Sequence, residues 1–277
     1  MKITLLYLQF VFFSINLIFS QTASVGLEPF KAGETLEYRV HYGIFNASYA
    51  SLTLSNGQVD GQELLLASGY GKTIGLARLF FKVEDYYSSY FETEKVEPKI
   101  FKRNIYEGGY TKNLEVRFNS ERMEATVNNI KKGTTDIIST KNNVQDLISS
   151  LYYLRKNFSQ DDIKVGDFFT INMFYDSKNR ELALKYLGKE VIRTKYGKIE
   201  CLKLMPATNR SRIFKGEGSI TIWLTNDVNK IPIRVQADLL VGSIKADLNE
   251  YSGIVNPLLI KQKSLWLINI IFSHYYF

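Results

Sequence analysis

Side chains that could act as catalytic bases or zinc ligands are few in this chain. It has two histidines, His41 and His274, and one cysteine, Cys201. A hydrolytic triad needs a nucleophile, a histidine and an orienting acid, and a zinc site needs several Cys or His ligands at tight spacing. His41 lies on the polar side of a predicted strand, His274 lies in an apolar tail, and Cys201 has apolar neighbours in ECLKLMP. We therefore expect a solvated or hydrogen-bonded His41, a buried and unreactive Cys201, and no catalytic or metal-binding residues.

Paired carboxylates could still hydrolyse a glycoside, because such enzymes place two acids around the scissile bond. The chain has two adjacent pairs, Glu84 with Asp85 and Asp161 with Asp162. Neighbouring residues of a strand point to opposite faces, so Glu84 and Asp85 cannot face one substrate without a bulge. The second pair precedes KVGD in a predicted loop. We expect both pairs to be solvated, and a carboxylate-dependent hydrolase of envelope glycan stays only as an alternative.

Aromatic residues are numerous, with 18 tyrosines and 18 phenylalanines. FFKVEDYYSSYF, residues 80–91, carries aromatics on both faces of a predicted strand. This pattern indicates that both faces are covered, or that one lines a pocket for an apolar or sugar-like ligand. Aromatic packing beneath a helix is the competing interpretation. The candidate ligand-binding residues are Tyr86, Tyr87, Tyr90 and Phe91, together with Trp223 in a later strand.

A polar cluster in IWLTNDVNKIPIRV, residues 222–235, could be a site on a loop or a corner between strands. Asn226, Asp227 and Asn229 suit both, because Asn and Asp bind metals and also tolerate left-handed backbone in turns. A calcium loop would need more oxygen ligands and a glycine. Apolar residues lead into and out of the cluster on single faces, and Pro232 follows it. We predict a hairpin corner.

Period-two alternation of apolar and polar residues recurs along the chain, separated by turn residues. Residues 33–43, 79–92, 180–188 and 190–197 are examples, and short strands joined by short turns predict an antiparallel meander. One stretch, NNVQDLISSLYYLRKNF, has apolar residues at spacings of three and four, with Asn143 as a candidate N-cap. The predicted fold is dominated by β-structure: a curved antiparallel sheet or half-open β-barrel with one amphipathic helix, 143–157, packed against it.

The termini differ from the middle of the chain. Residues 1–20 have a basic start, an apolar stretch and the small residue Ser20 at the end, which predicts a cleaved secretory leader rather than a membrane anchor. Residues 21–261 are predicted to form one β-rich domain. The apolar tail, 262–277, ends at Phe277, as strands of outer-membrane barrels often do. A buried last strand and a tail foreign to the domain are the other interpretations.

Composition narrows the choice of partners. Lys and Arg outnumber Asp and Glu by 35 to 28, but they are spread along the chain, which argues against nucleic acid as a partner. A single cysteine excludes an intramolecular disulfide. HExxH, GxSxG and Walker-type patterns are absent from the sequence, and we expect no cofactor.

Four stretches together resemble a known family. They are GETLEYRVHYGIFNASYASLTL, DLISSLYYLR followed by KVGD, GKEVIRTKYGKIECLKLMP, and ITIWLTNDVNKIPIRV with LLVGSIKADL. In order and spacing they are similar to an exported bacterial family of unknown function, domain of unknown function 3108, over residues 28–260. The resemblance implies a β-rich envelope protein of a Gram-negative-type bacterium and brings no established activity or cofactor. Ser48 departs from the family pattern, which has a glycine there, and the chain after Lys261 has no counterpart.

The expected function is therefore a non-enzymatic exported protein, periplasmic or associated with the outer membrane. Its half-barrel would hold an apolar, lipid-like ligand or a segment of an envelope protein partner, and peripheral membrane association is compatible with this. An integral outer-membrane β-barrel is the first alternative and the glycan hydrolase is the second.

Overall fold

The structure is a computed structural model that describes residues 28–207 and 220–261. The predicted leader (1–20) and the apolar tail (262–277) lie outside the described residues. The strands are β1 (Thr35–Tyr42), β2 (Phe45–Val59), β3 (Gln62–Thr73), β4 (Val83–Glu92), β5 (Glu97–Glu107), β6 (Tyr110–Asn119), β7 (Glu124–Asn129), β8 (Thr134–Ser139), β9 (Phe168–Tyr175), β10 (Lys178–Thr194), β11 (Gly197–Ala207), β12 (Ile220–Thr225), β13 (Pro232–Asp238), β14 (Ser243–Ser252) and β15 (Ile260–Lys261). The helices are α1 (Gly75–Phe80) and α2 (Ser149–Asn157). No helix among these residues is long and apolar enough to cross a bilayer.

All the strands belong to one antiparallel sheet made of two meanders. The order runs from β8 back to β1, crosses to β14, and continues back to β9, with β15 paired to β11. The first strand of the domain therefore lies in the middle of the sheet, and β8 and β9 lie at its two edges. The segment that contains α2 connects these two edges.

The sheet curls until its β9 edge meets β5 and β6 of the other meander through side chains rather than through a ladder. Asp176, in the turn after β9, accepts a hydrogen bond of 2.8 Å from Arg103 of β5. Phe174 of β9 packs edge-to-face on Phe118 of β6, with ring centroids 5.9 Å apart. The predicted curved sheet, half-open as a barrel and with a helix packed on it, is confirmed.

Helix α2 fills the space inside the curl. Leu154 and Phe158 pack against Leu202 and Leu224 in one buried cluster. Tyr152 packs between Phe30 and Phe91, with ring centroids 4.9 and 5.2 Å away. Burial of these side chains, each worth about 1.5–3 kcal/mol, is what holds a helix of only nine residues in place.

The helix begins later than the sequence pattern predicts. Asn143 adopts a positive φ of 52°, and Gln145 forms an isolated parallel bridge to Met173 of β9. Asp146 takes the capping role predicted for Asn143: its Oδ1 accepts hydrogen bonds from the amides of Ile148 (2.7 Å) and Ser149 (2.8 Å). Pairing with the edge strand outweighs helix formation over residues 143–148, because it satisfies backbone groups of both segments.

Three further elements differ from the sequence expectation. The predicted strand 79–92 begins only at Val83, because residues 75–80 form α1. The two strands expected over 180–188 and 190–197 are largely one strand, β10, with an irregular register between Tyr186 and Lys189. Gly188 lies in this bulge at a φ of 95°, a conformation that favours glycine. Strand β8 is not predicted, since its residues are nearly all exposed and show no alternation.

Candidate functional site

The polar cluster in the 222–235 stretch forms the predicted hairpin corner between β12 and β13. Asp227 Oδ1 accepts hydrogen bonds from the Thr225 hydroxyl (2.6 Å) and the Lys230 amide (3.1 Å). Asn229 donates to the carbonyl oxygen of Asn256 (2.7 Å) and accepts from the Asn256 amide (3.1 Å). The cluster satisfies its own backbone and ties down the segment after β14. No cluster of three or more potential metal-ligating residues occurs in the described part of the chain.

The four aromatic candidates of β4 divide between two faces. Tyr87 and Phe91 point into the core, where Phe91 is fully buried and Tyr87 packs on Phe101. Tyr86 and Tyr90 are on the outer face, and the ring of Tyr86 stacks on Tyr70 at 4.6 Å. Tyr86 borders a shallow groove of about 280 Å³, together with Tyr70 and the edge of Tyr87, and Tyr90 does not line it.

Trp223 lies in the other meander and does not meet these tyrosines in a common pocket. It is 6% exposed, and its indole Nε1 donates a hydrogen bond to Glu190 (3.1 Å). The ammonium group of Lys203 lies 5.4 Å from its ring centroid. A hydrogen bond from Lys203 is the main reason that the pKa of Glu190 is lowered. The ring is therefore already enclosed by protein groups on this face.

Histidine 41 and the carboxylate pairs are also accounted for. His41 is buried, and its two ring nitrogens are 2.8 Å from the Gly43 carbonyl oxygen and 3.0 Å from Asp247 Oδ2. Asp85 is buried and accepts a hydrogen bond from the Tyr106 amide, so the prediction that this pair is solvated is wrong for Asp85, whereas Glu84 pairs with Arg78 on the opposite face. Asp161 and Asp162 are both exposed. Cys201 is a buried free thiol, and burial raises its pKa to about 12, which leaves it protonated at neutral pH.

An open cleft of about 380 Å³ lies beside α2, which contributes Tyr153 and its last residue, Asn157. Its volume falls within the range of small-molecule sites, about 300–1,000 Å³. Four connections meet there: the β4–β5 turn, the β6–β7 turn, the segment after β8, and α2 itself. The lining residues are Glu94, Lys95, Glu97, Pro98, Phe118, Asn119, Ser120, Thr140, Lys141, Asn142, Asn143, Val144, Tyr153 and Asn157.

The floor and the rim of this cleft have different chemistry. Phe118, Val144 and Tyr153 supply apolar and aromatic surface, and Val144 is held in the core cluster around Phe174. The rim carries four side-chain amides, those of Asn119, Asn142, Asn143 and Asn157. Flat rings beside amide donors and acceptors suit a ligand with an apolar face and a hydroxylated edge.

Two contacts give the cleft a defined shape. The side-chain amide of Asn143 donates to the hydroxyl of Tyr153 at 2.9 Å, which joins the segment after β8 to α2. Asn143 can make this contact because its backbone is left-handed there, a conformation that asparagine tolerates. The bridge of Gln145 to β9 fixes the same segment two residues later.

Glu97 is the carboxylate whose ionisation is best defined in the cleft. Burial alone would raise the pKa of Glu97, but hydrogen bonds from Lys99 and Ser120 outweigh it and lower the pKa. The Ser120 bond measures 2.6 Å. Glu97 is therefore ionised at neutral pH and serves as an acceptor. A glycosidase acid needs the opposite, a carboxyl group whose pKa is raised.

Sequence reasoning missed the buried ion pair that supports α2 from behind. Arg155 and Glu34 are 0% and 1% exposed and make two hydrogen bonds of 2.6 and 2.7 Å. Arg155 also donates to the carbonyl oxygens of Asn229 (2.9 Å) and Pro29 (2.9 Å). One signal was present: Arg155 falls seven residues after Ile148, on the apolar side of the helix.

The family model described as "Protein of unknown function (DUF3108)" matches residues 37–249. Among curated proteins, none matches the sequence significantly.

Three solved structures are similar in fold at low sequence identity. A β-barrel-like protein of domain of unknown function DUF1849 from Brucella abortus shares 9% identity, covers 79% of this chain and 96% of its own, and has a TM-score of 0.49. A protein with a YmcC-like fold from Bacteroides fragilis, described as exported, shares 8% identity over 82% of this chain and 98% of its own, with a TM-score of 0.32. A protein from Parabacteroides distasonis described as a lipoprotein shares 14% identity over the same fractions, 82% and 98%, with a TM-score of 0.30.

Proposed function

Since the chain belongs to this family of unknown function, we propose from its own geometry that it is a non-enzymatic envelope protein that binds a sugar-like ligand in the cleft beside α2. The observation that carries the proposal is the pairing of aromatic surface, Phe118 and Tyr153, with a rim of asparagine amides. Export is supported by the leader-like pattern of residues 1–20.

The space that the fold leaves open favours a sugar-like ligand over a lipid-like one. The volume inside the curl is occupied by Tyr152 and Leu154 of α2 and by Phe158 directly after it, each 4% exposed or less. An acyl chain would have to displace these side chains, at a cost of several kcal/mol. The cleft is open to solvent and its rim is polar, so a hydroxylated ligand can bind there without rearrangement of the core.

We also propose that the protein does not hydrolyse the saccharide that it binds. Glu94 and Glu97 both line the cleft, which is the arrangement that a glycan hydrolase would require. The lowered pKa of Glu97 makes it a poor proton donor to a leaving group. We assign Glu97 the role of accepting hydrogen bonds from ligand hydroxyls.

Binding to an array of bacterial envelope saccharides tests the proposal. The wild-type chain is expected to bind a subset of the saccharides, and Tyr153→Leu, which removes the ring and its hydroxyl, is expected to bind about tenfold more weakly, equivalent to about 1.4 kcal/mol. Tyr110→Leu is the matched control, because Tyr110 is an exposed tyrosine at the start of β6, outside the cleft.

Two results would count against the proposal. Equal loss of binding in both tyrosine variants would mean that the cleft is not the site. Release of new reducing ends from a bound saccharide, abolished by Glu97→Gln, would show that the protein is a hydrolase.

A further inference from the structure

Three neighbouring connections at one end of the sheet carry large apolar side chains in solvent. They are residues 42–45 between β1 and β2, residues 74–82 around α1, and residues 239–242 between β13 and β14. We call their exposed side chains the apolar rim. At the tips, Ile44, Leu79, Phe80 and Leu240 are each at least 80% exposed. Helix α1 has no buried residue at all.

Backbone and side-chain contacts make the apolar rim continuous. The hydroxyl of Tyr42 donates to the Val241 carbonyl oxygen at 3.0 Å, which joins the first and third connections. The amide of Ile74 donates to the Ala47 carbonyl oxygen at 3.0 Å, which holds α1 beside the start of β2. Because these contacts hold the three connections at one end of a rigid sheet, the tips move together.

The connection around α1 carries an excess of positive charge. Residues 71–83 contain Lys72, Arg78 and Lys82 and no carboxylate. Glu84, which follows them, pairs with Arg78 at 3.0 Å and approaches Lys82 at 3.9 Å. Two further carboxylates at the same end of the sheet, Glu107 and Asp238, are the last residues of β5 and β13. The other two connections, YGIF and LLVG, carry no charge. This arrangement complements a negatively charged surface.

Tyrosines stand just behind the tips. Tyr42, Tyr106 and Tyr110 are partly exposed, and the ammonium group of Lys82 lies 4.9 Å from the Tyr106 ring centroid. Exposed apolar tips, tyrosines and cations are the side-chain types that meet the acyl region, the interface and the headgroups of a bilayer.

We propose that the apolar rim inserts into the surface of an anionic lipid bilayer and orients the protein on it. A bilayer can surround separate tips on all sides, whereas a protein partner would need a matching cavity for each. Entry of the tips by about 5–10 Å, the depth of interfacial anchors, buries them without unfolding any strand. The inference does not depend on the ligand of the cleft, which lies at a different set of connections.

Fluorescence of Phe80→Trp in the full chain tests this directly. Vesicles of phosphatidylethanolamine with a fraction of phosphatidylglycerol should shift the added emission to shorter wavelength, and acyl chains brominated near the headgroup should quench it. Ile137→Trp is the control, because Ile137 is also exposed but lies on β8, away from the apolar rim. The wild-type spectrum corrects for Trp223 and Trp266.

Vesicle flotation measures how strongly the chain and its variants bind the same vesicles. Leu79→Ser with Phe80→Ser should weaken binding to the anionic vesicles at least tenfold, roughly the loss expected from one buried large side chain. Ile137→Ser with Val165→Ser removes two exposed apolar residues elsewhere and should leave binding unchanged.

The proposal is overturned if vesicles do not shift the emission of Phe80→Trp, whether or not the chain floats with them. It is also overturned if both double variants lose binding equally, or if the chain binds vesicles of pure phosphatidylcholine more strongly than the anionic ones. A dimer in sedimentation that Leu79→Ser dissolves, without vesicle binding, would instead assign the apolar rim to contact between two copies.

Discussion

Arg155 is the residue on which the position of α2 depends most. Its guanidinium group binds Glu34 and two carbonyl oxygens, so one side chain connects the segment before β1, the helix and the β12–β13 corner. A fully buried charge that loses its partner costs about 3–5 kcal/mol. We therefore expect Glu34→Gln to lower the free energy of unfolding by about this amount in denaturant titrations.

The matched control is Glu28→Gln, which removes the exposed partner of Lys156. Exposed pairs contribute about 0–1 kcal/mol, and the control should change the midpoint little. If both variants lose the same stability, Arg155 does not have the supporting role that its contacts indicate.

The contribution of Asp146 to the free energy of unfolding decreases as the pH rises toward neutrality. Burial raises its pKa from 3.8 to about 6, although hydrogen bonds from Ser89, Ser149 and the Ile148 amide oppose the shift. Because the folded pKa is the higher one, its stabilising contribution is present below pH 3.8 and is lost as the pH rises through about 6. A shift of about two units corresponds to about 3 kcal/mol.

Asp146→Asn removes this titration and keeps the acceptor for the two helix amides. The wild-type unfolding free energy minus that of the variant should fall by about 2–2.5 kcal/mol between about pH 4 and pH 7. Carboxylates with lowered pKa values titrate in both proteins and cancel in the difference. A difference that stays flat across this range would contradict a buried, partly protonated Asp146.

At the scale of single elements, the bulge in β10 is the feature most sensitive to one substitution. Gly188 has a φ of 95°, and a Cβ there would also touch Val165 at 3.4 Å. Gly188→Ala should destabilise by about 1–3 kcal/mol, measured by thermal unfolding. Gly71→Ala in β3 is the control, because that strand glycine has open space around it and should change stability by less than about 1 kcal/mol. Equal melting temperatures for the two variants would mean that β10 can pair without its bulge.

The sequence predicts a strand or helix well where one face of the element is buried and the other faces solvent. In β1 the buried Leu36 and the partly buried Tyr38 alternate with Glu37 and Arg39, and this alternation is enough to predict the strand. β8 has no such alternation, and α1 buries nothing, so neither leaves a pattern that can be recognised. The predicted start of α2 is wrong because Val144 fits the helical spacing but packs in the β5–β7 cluster.

At the scale of the whole molecule, closure of the curl depends on a few contacts between residues far apart in the chain. Asp176 accepts hydrogen bonds from Arg103 and Lys112, and these keep its pKa low although burial opposes them. No local sequence pattern predicts the contact between Arg103 and Asp176, because 73 residues separate them in the chain. The cleft was not predicted for a related reason: its four amides come from three separate parts of the chain, the end of β6, the segment after β8 and the end of α2, and they look like ordinary turn residues.

Loss of this closure should be visible in hydrogen exchange. Asp176→Asn leaves Arg103, which is 8% exposed, without its carboxylate, and we expect faster exchange of the β9 amides, by about tenfold for a loss of about 1.4 kcal/mol. Asp60→Asn, at a distant exposed pair with Arg117, should leave β9 protection unchanged. Unchanged β9 protection in Asp176→Asn would mean that the Gln145 bridge and the packing of Phe174 on Phe118 hold β9 without the Arg103–Asp176 pair.

Native mass spectrometry of the protein purified from its own cell envelope tests the central claim most directly. We predict that the wild-type chain retains a saccharide mass, that Tyr153→Leu loses it, and that Tyr110→Leu keeps it. A wild-type chain that carries no saccharide mass, or a saccharide retained equally by all three proteins, would contradict a sugar-like ligand in the cleft beside α2.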